Sequence, residues 1–320
     1  MANQTVPQLC MNLPSFAADD PGGWGHMLAT AQAADAAGVD CLMISDHVVF
    51  GERTEEYGRP EIGGAKGGKQ PTGPDGHWLE PLTAIAWLAG QTRRVDFRTN
   101  IVIAALRRPV VLAKSAATLD VLSGGRLSLG VGVGWQREEY EAAGLDFDTR
   151  GKLLDHTLDV CRALWTQQRA SFASPELTFE NIHQMPKPTE PGGVPIWISG
   201  TFRASTVRRL ATYGPRWVPW GPDAGDIVNA APRMRDAVAA AGGSVEGMRI
   251  VGNLAIARDD SGAIEAERSI EALAPMLAAG VTEFSIRLRP EETETGDPAP
   301  LRAVVDAFRA ATGREAVGEP

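Results

Sequence analysis

Residues 124–135 read Gly124-Gly125-Arg126-Leu127-Ser128-Leu129-Gly130-Val131-Gly132-Val133-Gly134-Trp135. The stretch opens as a turn out of a helix and runs into a β-strand whose far end carries alternate glycines. At a strand period of two, Gly130, Gly132 and Gly134 share one face. Glycine weakens a strand unless something uses the vacated space, so this face accepts a ligand or the close approach of a neighbouring barrel layer.

Outward from this stretch, short β-branched runs alternate with Ala- and Leu-rich helical runs. Strands are predicted at 8–13, 40–45, 94–104, 126–133, 195–199, 216–219, 249–257 and 281–288. Helices are predicted at 24–37, 81–91, 109–122, 150–165, 203–211, 224–240, 263–278 and 300–312. Eight βα units with no Gly/Pro-rich linker between them point to one α/β domain over 1–320, a single (β/α)8 TIM barrel. Two segments break the rhythm, 50–78 and 171–193, and both read as insertion loops at the C-terminal mouth.

Composition narrows the function. A chain of 320 residues with 43% hydrophobic content buries a large core, and a net charge of −9 disfavours a general nucleic-acid or anionic-membrane binder. A small-molecule substrate is the expected partner. No apolar run reaches membrane-spanning length, and residues 1–13 lack the pattern of an export signal, so a cytoplasmic protein is expected. Cys10, Cys41 and Cys161 form no close pair in sequence, and two of them lie inside apolar strand-like runs where a reduced, buried thiol is the ordinary state. Five scattered histidines without metal-ligand spacing predict no metal.

In such a barrel, chemistry gathers where strand ends converge on the mouth. His47, beside Asp46, is the only histidine at a predicted strand end, where it can exchange a proton near neutral pH. Asp46 either orients it or binds a ligand hydroxyl; the structural alternative makes Asp46 a cap and His47 a core residue. His26, His77, His156 and His183 fall on helices or loops and read as structural. Ser199-Gly200-Thr201 leads into Phe202-Arg203-Ala204-Ser205, a strand-turn-helix able to hold a phosphate, although a Ser or Thr before a helix also serves as a plain N-cap. Trp135, Trp217 and Trp220 fall at strand ends as candidate pocket walls; Trp87 and Trp165 fall on apolar helix faces as candidate core, with Trp24 and Trp78 undecided.

Taken together, Ser45-Asp46-His47, the run 99–109 (TNIVIAALRRP), the run 123–144 (SGGRLSLGVGVGWQREEYEAAG) and Pro195-Ile196-Trp197-Ile198-Ser199-Gly200 resemble the bacterial luciferase-like monooxygenase superfamily over nearly the whole chain. The similarity is greatest to its branch of oxidoreductases that use the deazaflavin coenzyme F420. The resemblance implies a ring lying across the barrel mouth, often in a homodimer, above a non-prolyl cis peptide at Asn100-Ile101. It implies a ring-contacting Asp46, a proton-donating His47, cofactor contacts from Val133 and Gly134, and a phosphate grip from Gly200, Thr201, Arg203 and Ala204. Trp135 stands where the sugar-phosphate dehydrogenases of the superfamily carry a glutamate base, and no lysine accompanies Pro219-Trp220-Gly221, so glucose-6-phosphate oxidation is not expected. Trp135 and Trp220 are the candidate substrate pocket, an aromatic mouth without a basic clamp, suited to a neutral carbonyl, enone or imine. The alternatives are an FMN-dependent monooxygenase using oxygen and a partner reductase, and a flavin-storing protein without chemistry.

Overall fold

The computed structural model describes residues 6–289, 292 and 295–315, so the first residues of the 1–13 reading and the extreme ends of the 1–320 domain lie outside the described residues. Eight parallel strands close into a barrel: β1 (Gln8–Asn12), β2 (Cys41–Ile44), β3 (Asp96–Thr99), β4 (Leu127–Val131), β5 (Ile196–Gly200), β6 (Arg216–Pro219), β7 (Arg249–Asn253) and β8 (Glu283–Ile286). Closure is made by β1 against β8, with Gln8 opposite Glu283 and Met11 opposite Ile286. The helices used below are α1 (Gly25–Ala37), α2 (Pro81–Ala89), α3 (Pro109–Ser123), α4 (Arg137–Ala142), α5 (Arg150–Thr166), α6 (Ala204–Tyr213) and α7 (Ile227–Ala240). The α/β barrel predicted from the alternation is therefore the fold.

The quoted stretch shows how local chemistry sets this geometry. Helix α3 begins with Pro109, whose missing N–H costs nothing at the first helical position, and ends at Gly124, which takes the left-handed conformation at φ 73°. Arg126 then clamps the turn: its guanidinium donates to the carbonyls of Ala89 at 2.7 Å, Val95 at 2.9 Å and Ser123 at 2.8 Å, tying α2, α3 and the start of β3 together. The glycine face is used by packing. A Cβ at Gly130 would stand 2.0 Å from the Thr99 carbonyl oxygen, one at Gly132 2.9 Å from the Ile101 side chain, and one at Gly134 3.2 Å from that of Ile103. Of the two readings left open, the close approach of a neighbouring layer accounts for the absent side chains, while Gly132 and Gly134 also face the mouth cavity.

Several predicted boundaries move. The strand expected over 94–104 stops at Thr99; a cis peptide joins Asn100 to Ile101, and a short 3-10 turn follows at Ala104–Leu106. The helix expected over 263–278 splits into Ala266–Ser269 and Leu273–Ala278. Pro275 has no N–H to bond back to Glu271, which disfavours one continuous helix across this point. Segment 50–78 does cover the mouth. Segment 171–193 does not: it joins the end of α5 to the start of β5, at the opposite end of the barrel, forms a hairpin of Ala170–Ala173 with Thr178–Ile182, and lines no part of the mouth cavity. In a βα barrel only strand-to-helix connections emerge at the mouth.

Candidate functional site

The C-terminal strand ends surround a cavity of about 680 Å3, a size typical of small-molecule clefts. Asp46, His47, Asn100, Ile101, Val133, Gly134, Trp135, Gly200, Thr201, Arg203 and Trp220 all line it. Ala204 opens α6 as an exposed residue outside the lining, flanked by Arg203 and Ser205, which are in it. The floor is built by bonding between strand ends. Asn100 donates through its side chain to that of Asn12 at 3.1 Å, Asn12 donates to the Ser285 hydroxyl at 2.8 Å, and the Ser45 hydroxyl donates to the Asn100 carbonyl at 3.3 Å. Tyr140 donates to the Val133 carbonyl at 2.6 Å and fixes the glycine-rich end of β4.

His47 is held on all sides. Its ring lies 4.2 Å from Phe50, 4.8 Å from Trp78 and 5.9 Å from Trp135, centroid to centroid. Its Nδ1 stands 3.2 Å from Oε2 of Glu139, in ion-pair range but without hydrogen-bond geometry, and both side chains are buried. The other carboxylate oxygen of Glu139 accepts the Val48 N–H at 2.9 Å. On the far side of the ring, Nε2 lies 3.2 Å from the Gln70 side-chain nitrogen. Glu139 and Gln70 thus face opposite nitrogens of the ring, and which nitrogen carries the proton sets whether Gln70 meets a donor or an acceptor.

The adjacent carboxylate, Asp46, is committed elsewhere. Arg107 donates to its two oxygens at 2.7 and 3.0 Å, and the Ile103 N–H donates at 2.8 Å. Burial alone would lower the Arg107 pKa, but Asp46 and Glu80 hold it above its ordinary value. Asp46 thus anchors the chain that follows the cis peptide, and the carboxylate beside His47 comes from Glu139. Sequence reasoning passed over Glu139 because an acid in the first turn of a helix ordinarily complements the helix dipole. Its burial could not be read from that position.

The mouth loop 50–78 is fastened at several points. Trp220 donates its indole N–H to the Gly63 and Gly64 carbonyls at 3.1 and 3.3 Å, and Arg53 meets Glu138 at 2.6 Å. The Tyr57 ring stands edge-on to Trp135 at 5.5 Å and to Trp220 at 6.1 Å. Trp78 stacks on Phe16 at 4.2 Å and joins the lining. Trp217, expected at the pocket wall, is instead fully buried, its indole donating to the Gly200 carbonyl at 2.9 Å behind the cavity. Trp165 is core as expected, whereas Trp87 is 39% exposed on the outer face of α2.

The expected absence of a basic clamp is also corrected. Seven cations line the cavity, Lys66, Lys69, Arg150, Arg203, Arg209, Arg233 and Arg287, against two carboxylates, Asp46 and Asp223. Asp46 is taken by Arg107, and Asp223 accepts the Phe202 N–H at 2.6 Å. Arg209 is matched by Asp155 at 2.6 Å. Arg150 lies at the α6 side, where burial lowers its pKa and Arg203 lowers it further. The missed cations come from the loop, from helices and from the end of β8, and no local motif marks them.

These residues fit a flat ring with a phosphate-bearing tail. The bare backbone at Gly132 and Gly134 offers a flat wall, the indole N–H of Trp135 is buried without a partner, and α6 starts at Arg203 with no side-chain cap on its N–H groups. Among the described residues, no cluster of three or more His, Cys, Asp or Glu stands ready for a metal, and no helix is long and apolar enough to cross a membrane. The three cysteines are buried and unpaired.

Comparison with known proteins agrees with this geometry. An uncharacterized protein of Mycobacterium tuberculosis is 32% identical over 164 residues, 51% of this chain and 57% of that relative, so the chain matches little more than half the length of that relative. The structure of an F420-dependent secondary alcohol dehydrogenase with an F420–acetone adduct superposes with a TM-score of 0.70 at 16% identity, covering 93% of this chain and 99% of the other. A riboflavin lyase with modified FMN superposes with a TM-score of 0.74 at 13% identity, covering 98% and 94%. At these identities the structural likenesses establish the fold. The sequence model for luciferase-like monooxygenases matches residues 9–315, and on that match the chain belongs to this family of oxidoreductases.

Proposed function

We propose that the protein is an F420-dependent oxidoreductase that moves a hydride between the deazaflavin and a small organic substrate with a carbonyl, enone or imine carbon. The observation that carries the reading is the buried His47–Glu139 pair, with Nε2 of His47 turned to a cavity that has a bare-backbone wall and a cationic rim. When bound, the deazaflavin supplies a hydride donor or acceptor that reacts little with oxygen. The chain does the rest. Glu139 stands beside Nδ1 of His47, which gives or takes the accompanying proton at Nε2. Ser205, Arg203 and the first amides of α6 bind the phosphate, with Gly200 and Thr201 shaping the approach. Asn100, Ile101, Val133 and Gly134 support the ring, and the loop fastened by Trp220 excludes water.

A second reading is an FMN-dependent monooxygenase supplied with reduced flavin by a partner reductase; the family name and the likeness to a riboflavin lyase with modified FMN support it. Fluorescence titration of the purified protein with F420 and, separately, with FMN decides between them. Tight binding of F420 alone is the expected result, and a preference for FMN moves the case to oxygen chemistry. Binding of neither removes both.

The reading also includes a cytoplasmic homodimer. The outer faces of α2 and α3 carry Trp87, Val111, Val121 and Leu122 exposed, with Lys114 as their only charged residue, an apolar surface suited to a second copy of the chain. Light scattering should give twice the chain mass of 34.1 kDa.

A further inference from the structure

The cations of the cavity fall into two groups with different neighbours. Arg150, Arg203 and Arg233 surround the start of α6, where the proposed phosphate grip lies: Arg203 donates to the Thr201 hydroxyl at 2.9 Å, and Arg233 lies over the Phe202 ring at 4.7 Å. Lys66, Lys69 and Arg287 belong to the mouth loop and the end of β8. No carboxylate lies within ion-pair range of these three among the described residues. In a chain of net charge −9, three lysine and arginine side chains thus line the cavity without a carboxylate partner.

Contacts around Tyr57 place this second group on the proton-transfer side. The Arg287 guanidinium acts on the Tyr57 phenol, opposing the rise in pKa that burial causes. The Ala65 N–H donates to the Tyr57 carbonyl at 2.8 Å, and a Cβ on Gly68 would stand 3.0 Å from the Tyr57 ring, so the turn bearing Lys66 wraps that same residue. Lys69 directly precedes Gln70, whose side chain lies 3.2 Å from His47 Nε2.

We propose that Lys66, Lys69 and Arg287 form an anion subsite that takes a carboxylate or phosphate group of the substrate, so that the substrate class is an organic anion whose reacting carbon is presented to His47. This rests on the reading of the cavity as a cofactor-bearing active site. The same cations could instead serve an acidic tail on the cofactor, and the experiment separates the two sources. Inorganic phosphate and succinate are titrated into the F420-loaded protein and the FMN-loaded protein, following tryptophan fluorescence, for the wild type and for the triple variant Lys66→Gln/Lys69→Gln/Arg287→Gln. All three side chains are exposed, so the variant should fold.

The expected result is saturable, salt-sensitive binding of both anions to the loaded wild type, weakened about tenfold or more in the triple variant, with the Kd for F420 and for FMN unchanged within about threefold. Anion binding that is equal in the two proteins overturns the subsite. A triple variant that loses F420 affinity while the loaded wild type binds neither anion also overturns it, assigning the cations to the cofactor tail. Either failure leaves wild-type cofactor binding, and with it the proposed function, intact. A wild type that binds neither cofactor strikes the functional reading, and phosphate titration of the free protein then decides the subsite, its survival requiring the same loss in the triple variant.

Discussion

The two ends of the barrel use the same residue types to opposite effect. At the floor, three carboxylates are each held by several donors. Asp35 accepts the N–H groups of Arg93, Arg94 and Val95 at 2.8–2.9 Å; Asp40 accepts from Leu9 at 2.8 Å and from Arg314 at 2.6 and 2.7 Å; buried Asp120 accepts both the N–H and the hydroxyl of Thr189, at 2.6 and 2.8 Å. At the mouth, bonding capacity is left over: the Trp135 indole N–H has no partner, α6 has no cap, and cations outnumber carboxylates. The donors that close on these floor carboxylates hold the fold, and spare donors at the mouth are open to a ligand. This is the barrel division between a stability face and a functional face, expressed in hydrogen bonds.

The sharpest test of this division is His47→Ala. Loss of the proton relay should lower turnover about 10²–10⁴-fold with little change in cofactor affinity, measured by steady-state kinetics beside fluorescence titration. Equal loss of both would make His47 a binding residue. Next in size is Gly130→Ala, which drives a Cβ onto the Thr99 carbonyl and should cost about 3 kcal/mol in denaturant unfolding. Gly132→Ala meets the Ile101 side chain and no backbone atom, and should cost about 1 kcal/mol while weakening the cofactor. Equal costs at the two positions would erase the distinction between packing and cavity glycines.

Arg203→Ala should weaken a phosphorylated cofactor by about 1.5–3 kcal/mol, as expected for a charge-assisted bond, and leave riboflavin binding unchanged. The smallest effect belongs to the floor. Burial alone would raise the Asp35 pKa, but three backbone N–H groups hold it below the ordinary carboxylate value. Its folded pKa is therefore depressed, so the stability it contributes is present above about pH 4 and is lost as pH falls through the folded value. Asp35→Asn should cost about 1 kcal/mol at neutral pH and flatten the acid limb of the stability curve, with no effect on ligand binding.

The barrel was legible because each unit carries its own local signal. Pro109 and Gly124 bracket α3, alternating apolar residues mark β4, and repetition of the pattern eight times leaves few topologies. Residues at strand ends, such as His47, Asn100, Gly134 and Gly200, were legible too, because barrel topology sends them all to one mouth. Glu139 was not, since its contact joins positions 92 apart, between α4 and the segment that follows β2, and no period in the sequence links them. Trp217 and Trp220 lie three residues apart, yet one is core and one is wall, because Trp217 sits inside β6 and Trp220 follows its end in the loop at the mouth.

The sequence by itself determined the alternation, the closed α/β barrel, the glycine face and the histidine at the mouth, all of which follow from local propensity and period. Only the tertiary structure decided that Glu139 and not Asp46 faces His47, that segment 171–193 lies away from the mouth, and that Lys66, Lys69 and Arg287 all line the cavity. Those outcomes depend on which distant groups become neighbours when the core closes, and burial and charge pairing are properties of that closed state and not of any stretch of chain.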